Sequence, residues 1–332
     1  MNIRASAPGN LFFFGEYAVL YGKPSICAAV GLRTYVTLSS RTDNSIRINS
    51  SVFGVAEGQL NDNFRGFLSK NTKKVELEPI LDFVSDLSLK FKFKSGFDLK
   101  IESDIPPCSG MSSSTAVFSA ILKVVVAFSG ANVKNEEFFD YIYPHQAKIH
   151  GGAASGVEII SSSVGGFNLI EKKDGRVVFA SLGIHKFLVV IGNTRISAPT
   201  SLSVKYHIPS MDKRFPKLVK DTFDGIGKLC LDGRDAILKE DVKKIGKLMN
   251  KNQKLLFDFK VSHPKLDDCV SSAIDAGAFG AKLSGSGWGG IMFALCNVAT
   301  SDSVFNAIES TGSVAVKTEI GCEGARIENK DE

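Results

Sequence analysis

A short run of glycine and serine stands directly before a long apolar segment. Residues 107–115 read PCSGMSSST, and AVFSAILKVVVAF follows them. The apolar run predicts a buried helix, so the serines lie at its N-terminus. They form either an ordinary loop with an N-capping serine or a loop whose backbone N–H groups and hydroxyls bind phosphate. No Gly-Lys-Ser/Thr follows, so the segment is not a Walker A loop.

Two further glycine-rich stretches make a ligand site more plausible than a single one would. Residues 282–290 read KLSGSGWGG, which fits either a tight turn with an exposed tryptophan or a loop that passes close to a ligand. Residues 150–167 read HGGAASGVEIISSSVGGF and place Glu158 after a run of small residues. Glu158 is accordingly either a general base or an ordinary surface glutamate.

The periodicity of the chain predicts a mixture of strands and helices. Strands are expected in LFFF, RTYVTLSS, SIRINS, GFDLKIES, GGFNLIEK, GRVVFASL, HKFLVVIGN and IMFALC. Helices are expected after residue 115, from residue 135 to AKIH, and in three amphipathic segments beyond Pro209, with a last helix near VFNAIEST. No regular alternation of strand and helix is seen, which favours an α+β fold. A domain boundary is expected near residues 180–200.

Composition excludes several classes of protein. With 44% hydrophobic and 23% charged residues among 332, the chain is not a disordered protein. The net charge of +5 is scattered, which does not indicate a nucleic-acid partner. Six widely spaced cysteines favour reduced thiols and a cytoplasmic location. No signal peptide is evident, and the apolar runs are shorter than the ~20 residues of a membrane span, so no membrane partner is expected.

Five segments, in chain order, resemble the motifs of the GHMP kinase superfamily and of its mevalonate-pathway members. APGNLFFFGEYAVLYGKPSI resembles the first motif, and IPPCSGMSSSTA resembles the second, Pro-x-x-x-Gly-Leu-Gly-Ser-Ser-Ala. HGGAASGVE is similar to His-Gly-x-Pro-Ser-Gly-x-Asp, and GAKLSGSGWGG to Gly-Ala-Lys-x-Thr-Gly-Ala-Gly-Gly-Gly-Gly. LMNKNQKLL is similar to a segment typical of mevalonate kinases. The resemblance covers nearly the whole chain.

The resemblance implies a fold and a reaction. The fold is a two-lobed α+β structure, with a ribosomal S5-like N-terminal lobe (residues 1–185) and a ferredoxin-like C-terminal lobe (residues 186–332). The reaction is phosphoryl transfer from ATP, with Mg²⁺, to a hydroxyl of a small molecule. The implied sites are a triphosphate cradle (Gly110, Ser112, Ser113, Ser114, Thr115), a magnesium ligand (Ser114), a site floor (Gly285, Ser286, Gly287) and acceptor contacts (Glu16, Tyr17, Arg195, Thr200).

Four polar positions depart from the family pattern. Asn10 replaces a lysine that helps to position the reacting hydroxyl, and Tyr17 replaces a histidine. Glu158 stands where the family has its aspartate base, after one extra residue, and Gln146 occupies the place of a magnesium-binding glutamate. Asn10 and Glu158 are the expected catalytic residues. These changes preserve phosphate binding but predict a different acceptor geometry.

Several functions remain open at this stage. The leading interpretation is a kinase acting on mevalonate or a mevalonate monophosphate, such as phosphomevalonate or mevalonate 3-phosphate, with a slight preference for the monophosphate. A GHMP kinase for a sugar or homoserine and a catalytically impaired nucleotide-binding homologue are the alternatives. The partner is a small-molecule substrate, and both a monomer and a homodimer are compatible with the sequence.

Overall fold

The computed structural model describes residues 2–60, 74–106, 110–149, 156–173, 176–197 and 203–329. The strands in these ranges are β1 (Asn2–Phe14), β2 (Ser25–Ser40), β3 (Ser45–Ser50), β4 (Gly54–Gln59), β5 (Phe97–Ser103), β6 (Phe167–Lys173), β7 (Arg176–Gly183), β8 (Phe187–Asn193), β9 (Gly280–Ser284), β10 (Ile291–Leu295), β11 (Val314–Ile320) and β12 (Arg326–Ile327). The helices are α1 (Lys74–Lys90), α2 (Ser113–Ser129), α3 (Phe138–Ile149), α4 (Val157–Val164), α5 (Ile208–Arg214), α6 (Pro216–Leu238), α7 (Val242–Asp258), α8 (Pro264–Asp275) and α9 (Ser301–Ser310). Short turns of other helical types cover Ala18–Tyr21, Asn135–Glu137 and Ser203–His207.

The strands of the described residues form one sheet, and most of its ladders are antiparallel. The strand order is β4-β3-β5-β2-β11-β8-β10-β9, with β1 paired to β2 and β12, and β6 paired to β2 and β7. A single residue pair, Ile320 with Val30, joins β11 to β2 and so connects the two halves of the sheet. Mixed helices and antiparallel strands confirm the predicted α+β class.

Buried apolar side chains hold the helices on the sheet and join its two halves. One cluster lies among α1, α2, α3 and strands β2, β3 and β5, and another among α6, α8, α9 and strands β8 to β10. Between them, the ring of Phe13 packs against Phe14, Phe167 and Phe293 at centroid distances of 5.0–5.5 Å. Because Phe13 is on β1 and Phe293 on β10, this packing fixes β1 against the C-terminal part of the sheet.

Most elements expected from the periodicity are present, with two differences near prolines. The strand predicted at LFFF begins at Asn2 and runs through Pro8, where an irregularity in the pairing with β2 accommodates the proline. The helical segment 211–233 is broken at Phe215, because Pro216 lacks an N–H and disfavours helical geometry in the residue before it.

The helix predicted near VFNAIEST is the last helix of the described residues, but two strands follow it. That helix, α9, is followed by β11, which lies at the centre of the sheet between β2 and β8, and by β12. The proposed lobe boundary at residues 185 and 186 stays a prediction, and β8 begins just beyond it at Phe187. In the described ranges, no helix has the length and apolar character needed to cross a membrane.

Candidate active site

The serine-rich segment begins α2 in the way that a phosphate loop would. Residues 107–109 lie outside the described residues, but Gly110 is exposed with φ 75°, and Ser112 adopts a left-handed conformation with φ 54°. Among the described residues, the Ser112 side chain makes no capping bond to the helix. The plain N-cap interpretation is therefore not supported. The backbone N–H groups of Ser113 and Ser114, in the first turn of α2, have no acceptor within the helix.

The glycine-rich loop, residues 284–290, lies next to this helix start. A Cβ atom added to Gly110 would meet the side chain of Ile291, the first residue of β10, at 3.6 Å. One added to Gly285 would meet nothing within 4 Å, whereas one on Gly287 would overlap the carbonyl oxygen of Val261. The fold thus brings Gly110 and the glycine-rich loop together, and it leaves open space at Gly285.

The end of α7 anchors the other side of the glycine-rich loop. The backbone N–H of Trp288 donates to the carbonyl of Val261 at 2.8 Å, and its indole N–H donates to the carbonyl of Lys260 at 2.8 Å. At the beginning of the loop, the Ser284 hydroxyl accepts a hydrogen bond from the N–H of Phe12 at 2.9 Å. The tryptophan is thus a structural anchor of this loop, and the approach of the loop to a ligand stays a prediction.

Asn10 bridges the start of α2 and the start of α4. Its side chain is 2% exposed; Nδ2 donates to the carbonyl of Glu158 at 3.3 Å, and Oδ1 accepts from the Ser112 hydroxyl at 3.4 Å. Its backbone N–H also donates to the carbonyl of Met111 at 3.2 Å. Asn10 thus lies beside both the start of α2 and Glu158. It connects them without supplying the positive charge of a lysine.

Gln146 joins Glu158 to α2. Gln146 is buried on α3, and its Nε2 donates to Thr115 Oγ1 at 2.8 Å and to Glu158 Oε1 at 2.9 Å. Its Oε1 is buried and has no partner among the described residues. Glu158 is half-buried in the first turn of α4, which begins after Gly156 with φ 75°. An amide at position 146 therefore stabilises the carboxylate of Glu158, where a second carboxylate would repel it.

The residues around Glu158 fit a magnesium ion that is bound mainly through nucleotide phosphates. Mg²⁺ keeps several waters and commonly takes only one or two protein carboxylates beside phosphate oxygens. The described residues contain no group of three His, Cys, Asp or Glu side chains suited to a metal, so an all-protein cage is not formed there. Ser114, whose side chain is half-buried, precedes Thr115, and Gln146 contacts both Thr115 and the Glu158 carboxylate, so these oxygen donors lie on adjoining segments.

Glu16 lies in a fully buried ion pair. Its Oε1 accepts from the ammonium of Lys282, and its Oε2 accepts from Asn252 Nδ2 at 3.4 Å. The Lys282 ammonium also donates to the carbonyl of Leu283 at 2.6 Å. Burial lowers the pKa of Lys282, and the neighbouring Glu16 carboxylate opposes this shift. With both carboxylate oxygens engaged and 2% exposure, Glu16 lies behind the site surface.

Tyr17 connects the first motif to the glycine-rich loop. It has φ 60°, and its hydroxyl donates to the carbonyl of Ser286. Ser203 contacts the same hydroxyl, and burial raises the pKa of Tyr17 well above its usual value. Tyr17 thus places a neutral group at the position of the family histidine, and it links the first motif to the glycine-rich loop and to Ser203.

The remaining predicted acceptor contacts are only partly described. Arg195 is exposed with φ 60°, and its neighbours Thr194 and Ile196 both bond to Gly290, which holds the arginine beside the glycine-rich loop. Thr200 lies outside the described residues, as do His150 and residues 151–155.

Sequence reasoning missed the polar side chains of α7. Asn250 Oδ1 accepts from the N–H of Ala281 at 3.0 Å, and Gln253 Oε1 accepts from the N–H of Leu283 at 2.9 Å. Both side chains thus accept hydrogen bonds from backbone N–H groups on the outer edge of β9. Asn252, between them, binds Glu16. These side chains belong to LMNKNQKLL, and their signal is the cluster of amides within an otherwise apolar buried stripe.

The chain is similar to known proteins along most of its length. The family model "GHMP kinases N terminal domain" matches residues 80–166, and "GHMP kinases C terminal" matches residues 234–314. Mevalonate kinases of Thermococcus sibiricus and Pyrococcus horikoshii are 32% and 33% identical, over 99% and 98% of both chains. The crystal structure of L. major mevalonate kinase in complex with R-mevalonate superposes with a TM-score of 0.81 at 21% identity, covering 97% of this chain and 96% of that one.

The fold and the relatives together define a phosphotransferase with an alcohol acceptor. More narrowly, the chain belongs to the GHMP kinases and, among them, to the family that includes the archaeal mevalonate kinases.

Proposed function

We propose that this protein transfers the γ-phosphate of ATP to a hydroxyl of mevalonate. The observation that carries the proposal is that Asn10 and Gln146 link the start of α2 to Glu158, while Gly110 lies beside Ile291, which follows the glycine-rich loop. The named relatives support mevalonate as the acceptor, since they match along the whole chain.

The triphosphate lies at the N-terminus of α2 in this proposal. Gly110 lets the backbone come close to the phosphates, and the hydroxyls and N–H groups of Ser112, Ser113 and Ser114 donate to them. Gly285, Ser286 and Gly287 form the opposite wall, where the absence of a side chain at Gly285 leaves room. Ser114 would hold magnesium beside the nucleotide phosphates, and the ion would neutralise the charge that develops on the transferred phosphoryl group.

Glu158 is the proposed base for the acceptor hydroxyl. Gln146 fixes one of its oxygens, so the carboxylate has a defined orientation before the acceptor binds. Asn10 holds the backbone of the same residue. Arg195 and Thr200 are the proposed partners of the acceptor carboxylate, and Tyr17 forms part of the acceptor wall.

A mevalonate monophosphate is the second candidate acceptor. Gln146 replaces a carboxylate beside the phosphate loop, so an acceptor with its own phosphate meets one negative charge fewer there. Asn10, in place of a lysine, leaves one positive charge fewer to balance an added phosphate, which favours free mevalonate.

A panel of acceptors tests the proposal. The protein is mixed with ATP and Mg²⁺ and, separately, with mevalonate, each monophosphate, homoserine and galactose, while ADP release is followed. The product is then assigned by phosphorus NMR. Fastest turnover with mevalonate supports the proposal, and fastest turnover with a monophosphate selects the second candidate. ATP binding without turnover on any acceptor would replace both with a nucleotide-binding role.

A further inference from the structure

Burying the ion pair of Lys282 and Glu16 costs desolvation free energy, which suggests that the pair has a role beyond packing. Lys282 is fully buried and Glu16 is 2% exposed, and both lose hydration on folding. Replacing such a pair by apolar side chains of similar volume is often neutral or stabilising. Apolar residues would therefore fill this space at least as well, and the pair needs another explanation.

The contacts of the pair connect two segments of the site. The Lys282 ammonium reaches both Glu16, in the first motif, and the carbonyl of Leu283, just before the glycine-rich loop. Asn252 holds the second oxygen of Glu16, and its own Oδ1 is buried without a partner among the described residues. One buried group of three side chains thus joins α7, the end of β9 and the turn that carries Tyr17.

This turn is strained and needs such support. Tyr17 has φ 60°, a conformation that non-glycine residues adopt at a cost and that persists only where the surroundings determine it. On one side of Tyr17 the Glu16 side chain is fixed by Lys282, and the Tyr17 hydroxyl is fixed on the carbonyl of Ser286. Both anchors belong to the β9–glycine-rich loop segment, so the position of Tyr17 follows the position of that loop.

We infer that Lys282 and Asn252 are positioning residues that act through Glu16 to fix the Tyr17 turn against the glycine-rich loop. The acceptor wall and the phosphate wall are thereby held as one unit. Loss of the pair is expected to impair acceptor binding and turnover more than ATP binding, since displacing a reacting group by about 1 Å can cost about 10²-fold in rate. The kinetic part of this inference rests on the proposed function.

The test compares Lys282→Met with the double variant Lys282→Met/Glu16→Gln. The single variant leaves a buried carboxylate without its cation, so its melting temperature should fall by about 10 °C, and the double variant should recover most of that loss. In the double variant, kcat/KM for the acceptor should nevertheless remain at least about tenfold below wild type, with the KM for ATP within about threefold. Hydrogen exchange of peptides covering residues 15–21 and 284–290 should be faster than in wild type.

The matched control is the other buried pair of the described residues, Arg33 with Glu328, whose side chains are each 6% exposed. Arg33→Met/Glu328→Gln should lower the melting temperature without changing acceptor kinetics or exchange in the two peptides. If Lys282→Met does not fold, Asn252→Leu removes one hydrogen bond to Glu16 and should change the same peptides to a smaller degree.

Two results would overturn the inference. One is a double variant with wild-type acceptor kinetics and wild-type exchange in both peptides, which would make the pair purely structural. The other is an equal effect of the control pair on both measurements. A wild-type protein that phosphorylates no acceptor would refute the proposed function, and the exchange measurement would still decide the inference.

Discussion

The substitution Gln146→Glu tests whether the side chain at position 146 contacts the carboxylate of Glu158. In the wild type, Gln146 Nε2 donates to Glu158 Oε1 at 2.9 Å. The substitution places two carboxylates at that separation, and two unit charges there repel by about 6 kcal/mol at an effective dielectric constant of ~20. Glu158 is half-buried, so relaxation and solvent screening should reduce the cost to roughly 2–4 kcal/mol.

This cost should depend on pH. The close pair disfavours double ionisation, so the folded variant keeps a proton that its unfolded chain releases above about pH 4. Stability falls with rising pH wherever the folded state binds more protons than the unfolded state. The variant should therefore be near wild type at about pH 5 and lose about 5–10 °C in melting temperature by about pH 8.

The assay is thermal unfolding in EDTA across pH 5–8, with Gln146→Met as the control. Methionine removes the same donors without adding a charge, so its stability loss should hardly change with pH. Parallel curves for wild type and Gln146→Glu would show that the two side chains are not in contact. Added Mg²⁺ should recover part of the loss at pH 8 if a cation binds beside Glu158, which is a measurement independent of turnover.

Three further predictions concern the phosphate loop, the metal and the base. Gly110→Val should lower ATP affinity by about tenfold or more, while Gly130→Val, at the equally left-handed and open C-cap of α2, should cost stability alone; equal ATP affinity in the two variants would remove Gly110 from the phosphate site. Ser114→Ala should raise the Mg²⁺ concentration needed for half-maximal turnover, and an unchanged magnesium titration would exclude this hydroxyl as a ligand. Glu158→Gln should reduce kcat by about 10²–10⁴-fold with unchanged ATP binding, measured by steady-state kinetics and calorimetry, and a loss below about threefold would make Glu158 structural.

Local sequence patterns predicted the helices and strands whose apolar residues form one regularly spaced, buried face. The apolar stripe of α2 and the amphipathic stripes of α6, α7 and α8 repeat with a helical period, and this period reflects burial directly. Other elements gave weaker signals: β4 contains two glycines, and α1 has Pro79 in its interior. The central place of β11 depends on pairing with β2 and β8, which are far away in sequence.

Some site residues could likewise be predicted from local sequence motifs, whereas others depend on contacts between distant parts of the chain. Glycines and serines that approach a ligand are visible as motifs, because the backbone requirement is local. The bond between Lys282 and Glu16 joins residues 266 positions apart, and no spacing rule connects them. The resemblance implied that this glutamate contacts the acceptor; in the structure its carboxylate contacts Lys282 and Asn252, and the acceptor contact stays a prediction. Only the three-dimensional arrangement could assign Lys282 and Asn252 a part in the site.

The departures from the family pattern are physically linked. Asn10 removes one positive charge and Gln146 removes one negative charge, so the two substitutions together leave the net charge around Glu158 unchanged. Both side chains bond to Glu158, Asn10 at its carbonyl and Gln146 at its carboxylate. If Asn10 alone had changed, a carboxylate at 146 would face Glu158 without a nearby lysine, and if Gln146 alone had changed, a lysine at 10 would be buried with one counter-charge fewer. The amide pair is thus a coherent neutral replacement that keeps Glu158 oriented, which argues for a working phosphotransferase rather than a decayed one.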